Sequence, residues 1–306
     1  MNKVYDSYNR PIISLRISIT NRCNINCFYC HHDGMLDSMD EMSSEEIYHI
    51  TKIAKSLGVE KIRISGGEPL VRKDIVEIIE KINQLNFRDI SLTTNGIFLK
   101  EYVEDLKKVG LNRVNISLDS LKPEVYEEIT GFNKLDKVKG GILESKKVGL
   151  DPVKINMVLL NNINVSEIWD VFDFCKENDL ILQLIEIMDT DTVNNFKVQY
   201  HYDFTDLERE LENKSDKIEV RELMQNRKKY FIDGGEIEIV KPIENTNFCN
   251  NCSRLRVTPE GKLKPCLLRN DNLVDLVSHI RNNESDEDLK HVFMEAIAKR
   301  EPYYLD

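Results

Sequence analysis

No stretch of the 306-residue chain approaches the roughly 20 apolar residues of a membrane span, and the first residues lack the apolar core of a secretory signal. Positive charge is also scarce: 42 Lys and Arg stand against 53 Asp and Glu, a formal net charge of −11. That balance argues against a nucleic-acid partner, since binding a phosphate backbone takes many cationic contacts. It leaves room for a small, locally basic pocket. There is no low-complexity linker and no internal repeat beyond an alternation of strand and helix patterns. A cytoplasmic protein with no membrane association is expected, with one large core or two smaller ones.

Against these absences, cysteine is plentiful. Seven cysteines in a cytosolic chain of this size read as metal ligands or redox groups rather than disulfides. Six fall into two groups of three. Cys23, Cys27 and Cys30 form a C-x3-C-x2-C run, and Cys249, Cys252 and Cys266 a C-x2-C-x13-C run. Three thiolates can hold three irons of a cubane cluster and leave the fourth open to a ligand, whereas zinc prefers four closed ligands. A zinc knuckle in the first run would need His31 or His32, and unrelated buried thiols are the other plain reading. Cys175 lies in an apolar helical pattern, where a free thiol packs like a small hydrophobe.

Residues 12–20, 61–65, 90–94, 113–118, 153–160 and 181–188 read as β-branched strands. Amphipathic helices lie between them over 44–57, 74–85, 100–108, 135–148 and 166–177. Start signals include the Ser43-Ser44-Glu45-Glu46 run and Asp74. Strands joined by helical crossovers predict an α/β class fold, a parallel barrel, full or partial. Counting by two, Arg16, Ser18 and Thr20 share a face, as do Arg63 and Ser65, Asn115, Ser117 and Asp119, and Lys154 and Asn156. Their neighbours Ile17, Ile64, Ile116, Leu118 and Ile155 are apolar. Helices should cover the apolar face, so the polar set should face a lumen that is open, hydrated or filled by a polar ligand. The alternation stops near 189, and residues 189–203 read as irregular. A smaller α+β region follows, with a helix over 206–213, strands over 217–222, 228–232 and 236–240, a turn at Gly234-Gly235, and a charged helix over 286–299. The expected domains are 1–222 and 223–306.

Ser65-Gly66-Gly67-Glu68-Pro69 closes the second strand, at the barrel end where active sites sit. Thr93-Thr94-Asn95-Gly96 and Ser117-Leu118-Asp119 end the next two. By itself each is an ordinary strand-end turn. Arg254 and Arg256 alternate with Leu255, so both guanidinium groups point one way on an extended segment. With Arg16, Arg63 and Lys154 they could converge on one cavity, and such cations are standard partners of a polyphosphate. Scattered salt bridges are the plain alternative.

The first cysteine run, Tyr29 before its last cysteine, and the Gly-Gly-Glu-Pro turn resemble the radical S-adenosylmethionine (radical SAM) superfamily. The two triads in this order resemble its GTP 3',8-cyclase family, which opens molybdenum cofactor biosynthesis, from Pro11 through Cys266. The resemblance implies a lyase built on a partial (β/α)6 barrel of TIM type, with two 4Fe-4S clusters and SAM as cofactors. Cys23, Cys27 and Cys30 would bind the SAM-cleaving cluster, with Tyr29, Gly67, Ser117 and Met188 at the SAM site. Cys249, Cys252 and Cys266 would bind the second, facing the guanine of GTP. Arg16, Arg63, Thr93, Lys154, Arg254, Leu255 and Arg256 match positions that bind GTP. A deoxyadenosyl radical would take the ribose 3' hydrogen, and C3' would then join C8. Implied partners are an electron donor and the pyranopterin monophosphate synthase that takes the product onward; a homodimer is compatible. The ending Arg300-Glu301-Pro302-Tyr303-Tyr304-Leu305-Asp306 departs from the Gly-Gly tail that many members send into the active site, so another segment is expected to fill that place or the subgroup to work without it. A peptide- or RNA-modifying radical SAM enzyme and a two-zinc binding module are the competing readings.

Overall fold

A computed structural model describes residues 3–31, 40–188 and 199–304. His32, residues 189–198 and the final Leu305 and Asp306 lie outside them. The first part of the chain alternates as the periodicity predicts: β1 (Ser14–Ser18), α1 (Ser44–Ser56), β2 (Lys61–Ser65), α2 (Ile75–Asn83), β3 (Asp89–Thr94), α3 (Leu99–Lys108), β4 (Arg113–Ser117), α4 (Pro123–Thr130), α5 (Leu135–Lys147), β5 (Val153–Leu159), α6 (Ile168–Glu177) and β6 (Ile181–Glu186). Adjacent strands from β1 to β6 pair in parallel. Leu15, Ile17, Ile62, Ile64, Leu92, Val114, Ile116 and Ile155 are wholly buried in the main hydrophobic cluster, together with Ile47, Ile50, Ile78, Val103 and Ile142 from the covering helices. Burying such side chains is worth about 1.5 to 3 kcal/mol each, which fixes the polar alternates toward the lumen.

Local signals account for some helix ends. Ser43 and Glu46 cap α1 reciprocally, as the sequence suggests. Asp74 does not act as a side-chain cap. Its carboxylate instead takes both arms of Arg72, whose remaining donors reach the carbonyls of Ile19 and Met42. The charged partner wins over the weaker capping bond.

The remainder contains α7 (Thr205–Lys214), β7 (Lys217–Arg221), β8 (Arg227–Ile232), β9 (Gly235–Val240), α8 (Thr246–Asn250), β10 (Arg254–Val257), β11 (Lys262–Lys264), β12 (Val274–Asp275), α9 (Val277–Arg281) and α10 (Asp286–Ala298). Among the described residues these strands join the same sheet, in the order β12-β11-β10-β1-β2-β3-β4-β5-β6-β9-β8-β7. β10 lies parallel to β1 and β9 parallel to β6, so later strands flank the parallel set on both sides. The β8–β9 turn sits one residue earlier than expected, because Ile232 pairs with Gly235 and leaves Asp233-Gly234, both at positive φ, as the two-residue loop. Gly235 is in the strand, where a Cβ would fall 2.7 Å from the Phe172 ring.

Cys175 is 1 % exposed, and burial pushes its thiol up to about 12. It behaves as core. Cys175→Ala should leave bound iron unchanged and lower stability by about 1 kcal/mol. Iron analysis with a denaturant melt checks this, and loss of several irons would make Cys175 a ligand.

Candidate active site

The segment after β1 carries the first cysteine triad. Backbone bonds from Asn26 to the Thr130 carbonyl (3.1 Å) and from Phe28 to Ile129 (3.2 Å) tie it to the end of α4, a helix that the periodicity reading passes over. Tyr29 donates to Asp119 Oδ2 at 2.6 Å, fastening the loop to the exit of β4. Burial pushes the Asp119 carboxyl up to about 6 although Tyr29 and the Val158 amide bond to it. Burial first, then Asp119, Cys30 and Cys23, raise the Cys27 thiol well above its ordinary value. Asn95 reaches Cys23 Sγ at 3.9 Å and Asn24 Oδ1 at 2.7 Å.

The Gly-Gly-Glu-Pro turn packs directly on this segment. Gly67 donates to the Thr20 carbonyl (2.7 Å) and Glu68 to that of Arg22 (2.8 Å). The Glu68 side chain is 1 % exposed and accepts from Thr94 Oγ1, Asn95 N and Leu70 N. Burial still pushes its carboxyl up to about 7. A Cβ on Gly67 would meet the Arg22 and Asn21 carbonyl oxygens at 2.3 and 2.6 Å, both backbone atoms. Gly67→Ala should therefore destabilise the fold by about 3 kcal/mol, at the upper end of overpacking costs. A denaturant midpoint equal to that of the parent would show that the loop yields.

Tyr29, Ser117, Met188, Arg16, Arg63, Arg254, Arg256, Cys249, Cys252 and Cys266 share the wall of one cavity of about 300 Å³. The sheet register makes this convergence. Arg16 stands beside Arg256 on one side and Arg63 on the other, and Arg254 pairs with Ser14. The three arginines thus form one rung of neighbouring strands on the lumen face. Among the described residues Arg63 and Arg254 have no carboxylate partner, and each is held well below its ordinary value by burial and by surrounding arginines. Arginine keeps its proton under nearly all conditions, so these buried and crowded charges favour an incoming anion.

Thr93, Lys154 and Gly67 are not part of that wall. Thr93 Oγ1, both side-chain polar atoms of the adjacent Asn115, and Asn156 Oδ1 are buried without a hydrogen-bond partner among the described residues. Each such orphan costs about 1 to 3 kcal/mol, the need a polar ligand in the lumen would meet. Lys154 is 4 % exposed and bonds to Glu238 at 2.7 Å. Glu238, which the sequence reading did not single out, also receives Gln183 and Arg221 and pairs with Arg227. Burial alone would raise its carboxyl, but Arg227, Lys154 and Arg221 outweigh it and hold it well below the ordinary range. Leu255 has its side chain in the core, leaving its main chain for any ligand contact.

Cys249 lies in α8, Cys252 just after it, and Cys266 follows β11. Burial would raise the Cys252 thiol, but Arg300, Arg254 and Arg10 prevail and lower it. Burial raises Cys266 despite Arg256. Among the described residues no three His, Cys, Asp or Glu side chains stand as a ready metal-ligating group. Each triad nonetheless presents the soft sulfur donors an iron-sulfur cluster takes, with its cysteines on one loop or one cavity wall. Near the end of the chain, Arg300, Glu301 and Tyr303 contribute to the same wall. Among the described residues no helix is long and apolar enough to cross a membrane.

Comparison with known proteins shows the family. Residues 17–175 match the model of the radical SAM superfamily, and residues 180–305 match that described as Molybdenum Cofactor Synthesis C. A protein of Methanothermobacter thermautotrophicus named "Probable GTP 3',8-cyclase" is 55% identical over 302 residues, covering 98% of this chain and 99% of its own. One of the same name from Methanocaldococcus jannaschii is 48% identical over 300 residues, covering 98% of each. The crystal structure of Streptococcus suis SuiB superposes with a TM-score of 0.68 over 97% of this chain and 68% of that one, at 20% identity, a likeness of fold. The chain belongs to the radical SAM superfamily and, within it, to the family of the GTP 3',8-cyclases.

Proposed function

We propose that this enzyme converts GTP to (8S)-3',8-cyclo-7,8-dihydroguanosine 5'-triphosphate, the first step of molybdenum cofactor biosynthesis. The observation that carries the reading is the arginine rung, a concentrated cationic wall in an acidic protein, set in a cavity that both Tyr29 of the first cysteine run and the whole second triad adjoin. Cys23, Cys27 and Cys30 would hold a 4Fe-4S cluster, which would supply the electron for reductive cleavage of SAM. Cys249, Cys252 and Cys266 would hold a second, which would supply an iron to bind the guanine. Tyr29, Ser117, Met188 and the Gly67 main chain line the SAM side. Arg16, Arg63, Arg254 and Arg256 take the triphosphate, and Thr93 with Asn115 offers hydrogen bonds to the ribose. Residues 1–222 thus supply the SAM side, and residues 223–306 the second triad and two of the phosphate-binding arginines. An electron donor and the pyranopterin monophosphate synthase would act before and after this enzyme.

Anaerobic incubation with SAM, dithionite and each nucleoside triphosphate, followed by mass spectrometry, tests the reading. GTP should yield 5'-deoxyadenosine together with a cyclised nucleotide. SAM cleavage that leaves every nucleotide intact would sink it.

We further assign Lys154, which lies outside the cavity wall and pairs with Glu238, to the triphosphate, and this gives a pH signature. Burial pulls its ammonium down to about 8, a fall that Glu238 opposes and Arg221 and Arg227 reinforce. Lys154 is charged below that value and neutral above it, so GTP affinity should fall as pH rises through about 8. The guanidinium of a Lys154→Arg variant would stay charged, and its GTP affinity should hold across the same range. Equal pH profiles for parent and variant would remove Lys154 from the phosphate site.

A further inference from the structure

Asp6, Arg10 and Arg300 bring the two ends of the chain together beside the second cysteine triad. Asp6 Oδ2 accepts from Arg10 Nε at 2.8 Å and from Arg300 Nη1 at 2.7 Å. Asp6 Oδ1 accepts from the amides of Tyr8 and Arg10, so the carboxylate is held from four directions. The free arms of both guanidinium groups reach carbonyls of the triad itself. Arg10 Nη1 donates to the Cys249 carbonyl at 2.9 Å, and Arg300 Nη2 to the Cys252 carbonyl at 2.5 Å. All three residues are buried, Arg300 almost completely, and both arginines belong to the cavity wall.

Burying two arginines is costly unless their donors are met, and here Asp6 takes one donor of each and the main chain of the cysteine turn another, while Arg300 Nε is buried without a partner among the described residues. That turn needs outside support. α8 spans five residues, far too few for a helix to hold itself in water. Two guanidinium groups share one carboxylate, so the network carries net positive charge. Hydrogen bonding and local charge near a cluster set both its retention and its reduction potential.

We infer that Asp6, Arg10 and Arg300 are positioning residues for the second cysteine triad, fixing the Cys249–Cys252 turn and placing positive charge beside the anionic cluster it carries. The inference rests on the reading of this triad as a cluster site. Neither arginine is a metal ligand, and both act through the main chain of residues that are.

The test isolates the second site in a full-length chain carrying Cys23→Ala, Cys27→Ala and Cys30→Ala. After anaerobic reconstitution with ferrous iron and sulfide, iron and acid-labile sulfide per chain are counted. The rate of iron loss to a chelator and the midpoint of an EPR-monitored reductive titration are then measured. Arg300→Lys keeps the charge but lacks the planar fork that spans Asp6 and the Cys252 carbonyl. It should lose iron at least fivefold faster with little change in midpoint. Arg300→Gln and Asp6→Asn should also lose iron faster, and the glutamine variant should titrate at a lower potential. The same substitutions in a chain whose second triad is replaced by alanine should leave iron at the first triad unchanged. Equal iron retention and equal midpoints in parent and variants would overturn the inference. So would parallel loss of iron from both triads, which would make the network a general support of the fold. An isolated second site that holds no iron would overturn the cluster reading itself, and the inference with it.

Discussion

Cys23→Ala, Cys27→Ala and Cys30→Ala are each expected to abolish formation of 5'-deoxyadenosine. The loop that carries these residues is anchored to α4 through Asn26 and Phe28 and to β4 through Tyr29 and Asp119, so removing one thiol should leave the loop in place. What changes is the donor set, from three sulfurs to two. Two thiolates give a cubane cluster too few protein ligands to stay mounted. Anaerobic assays of SAM cleavage, run beside iron counts, measure the effect. Cleavage at the parental rate in any of the three variants would mean that the first triad is not the SAM-cleaving site.

The second large effect concerns the arginine rung. Replacing Arg254 or Arg256 with alanine should weaken GTP binding tenfold to a hundredfold, since a charge-assisted contact is worth about 1.5 to 3 kcal/mol. Arg254 suits the test because it has no carboxylate partner among the described residues. Its removal relieves the repulsion it meets from Arg227, Arg16 and Arg256, and it leaves Arg300 and Arg10 to keep lowering the Cys252 thiol that Arg254 also faces. The expected loss is therefore one of anion affinity, with iron content intact. Guanosine, which lacks the phosphates, should bind the variants nearly as well as the parent. Titrations with both ligands decide the matter. Equal weakening for guanosine and GTP would assign the arginines to the fold or to the second triad.

Much of this site was legible in the sequence because its chemistry follows short periods. Alternation by two separates Arg16 from Ile17 and Arg63 from Ile64, and the structure turns the first of each pair to the cavity and the second to the core. The cysteine spacings and the Gly-Gly-Glu-Pro turn are equally local. α4 had local signals too, with Pro123 in its first turn and Gly131 left-handed at its end. Its buried residues, Tyr126, Ile129 and Thr130, are too few to set an apolar period. Glu238 was illegible for a different reason. On β9 it alternates with Ile237 and Ile239 as a solvent-facing carboxylate would, and its partners Lys154, Gln183, Arg221 and Arg227 come from four other stretches of chain. The pairing of β10 with β1 is likewise invisible to any window read along the sequence, although it completes the rung.

That pairing also sets an order of events during synthesis. β1 leaves the ribosome early and β10 near the end, so one edge of β1 must wait unpaired while most of the chain is made. An exposed parallel edge is a template for association with other chains, and contacts this distant in sequence form slowly. The nascent protein would therefore stay vulnerable to aggregation until β10 emerges. The arginines of β1 and β2 would meet that of β10 only on completion, so an unfinished chain could not sequester nucleotide.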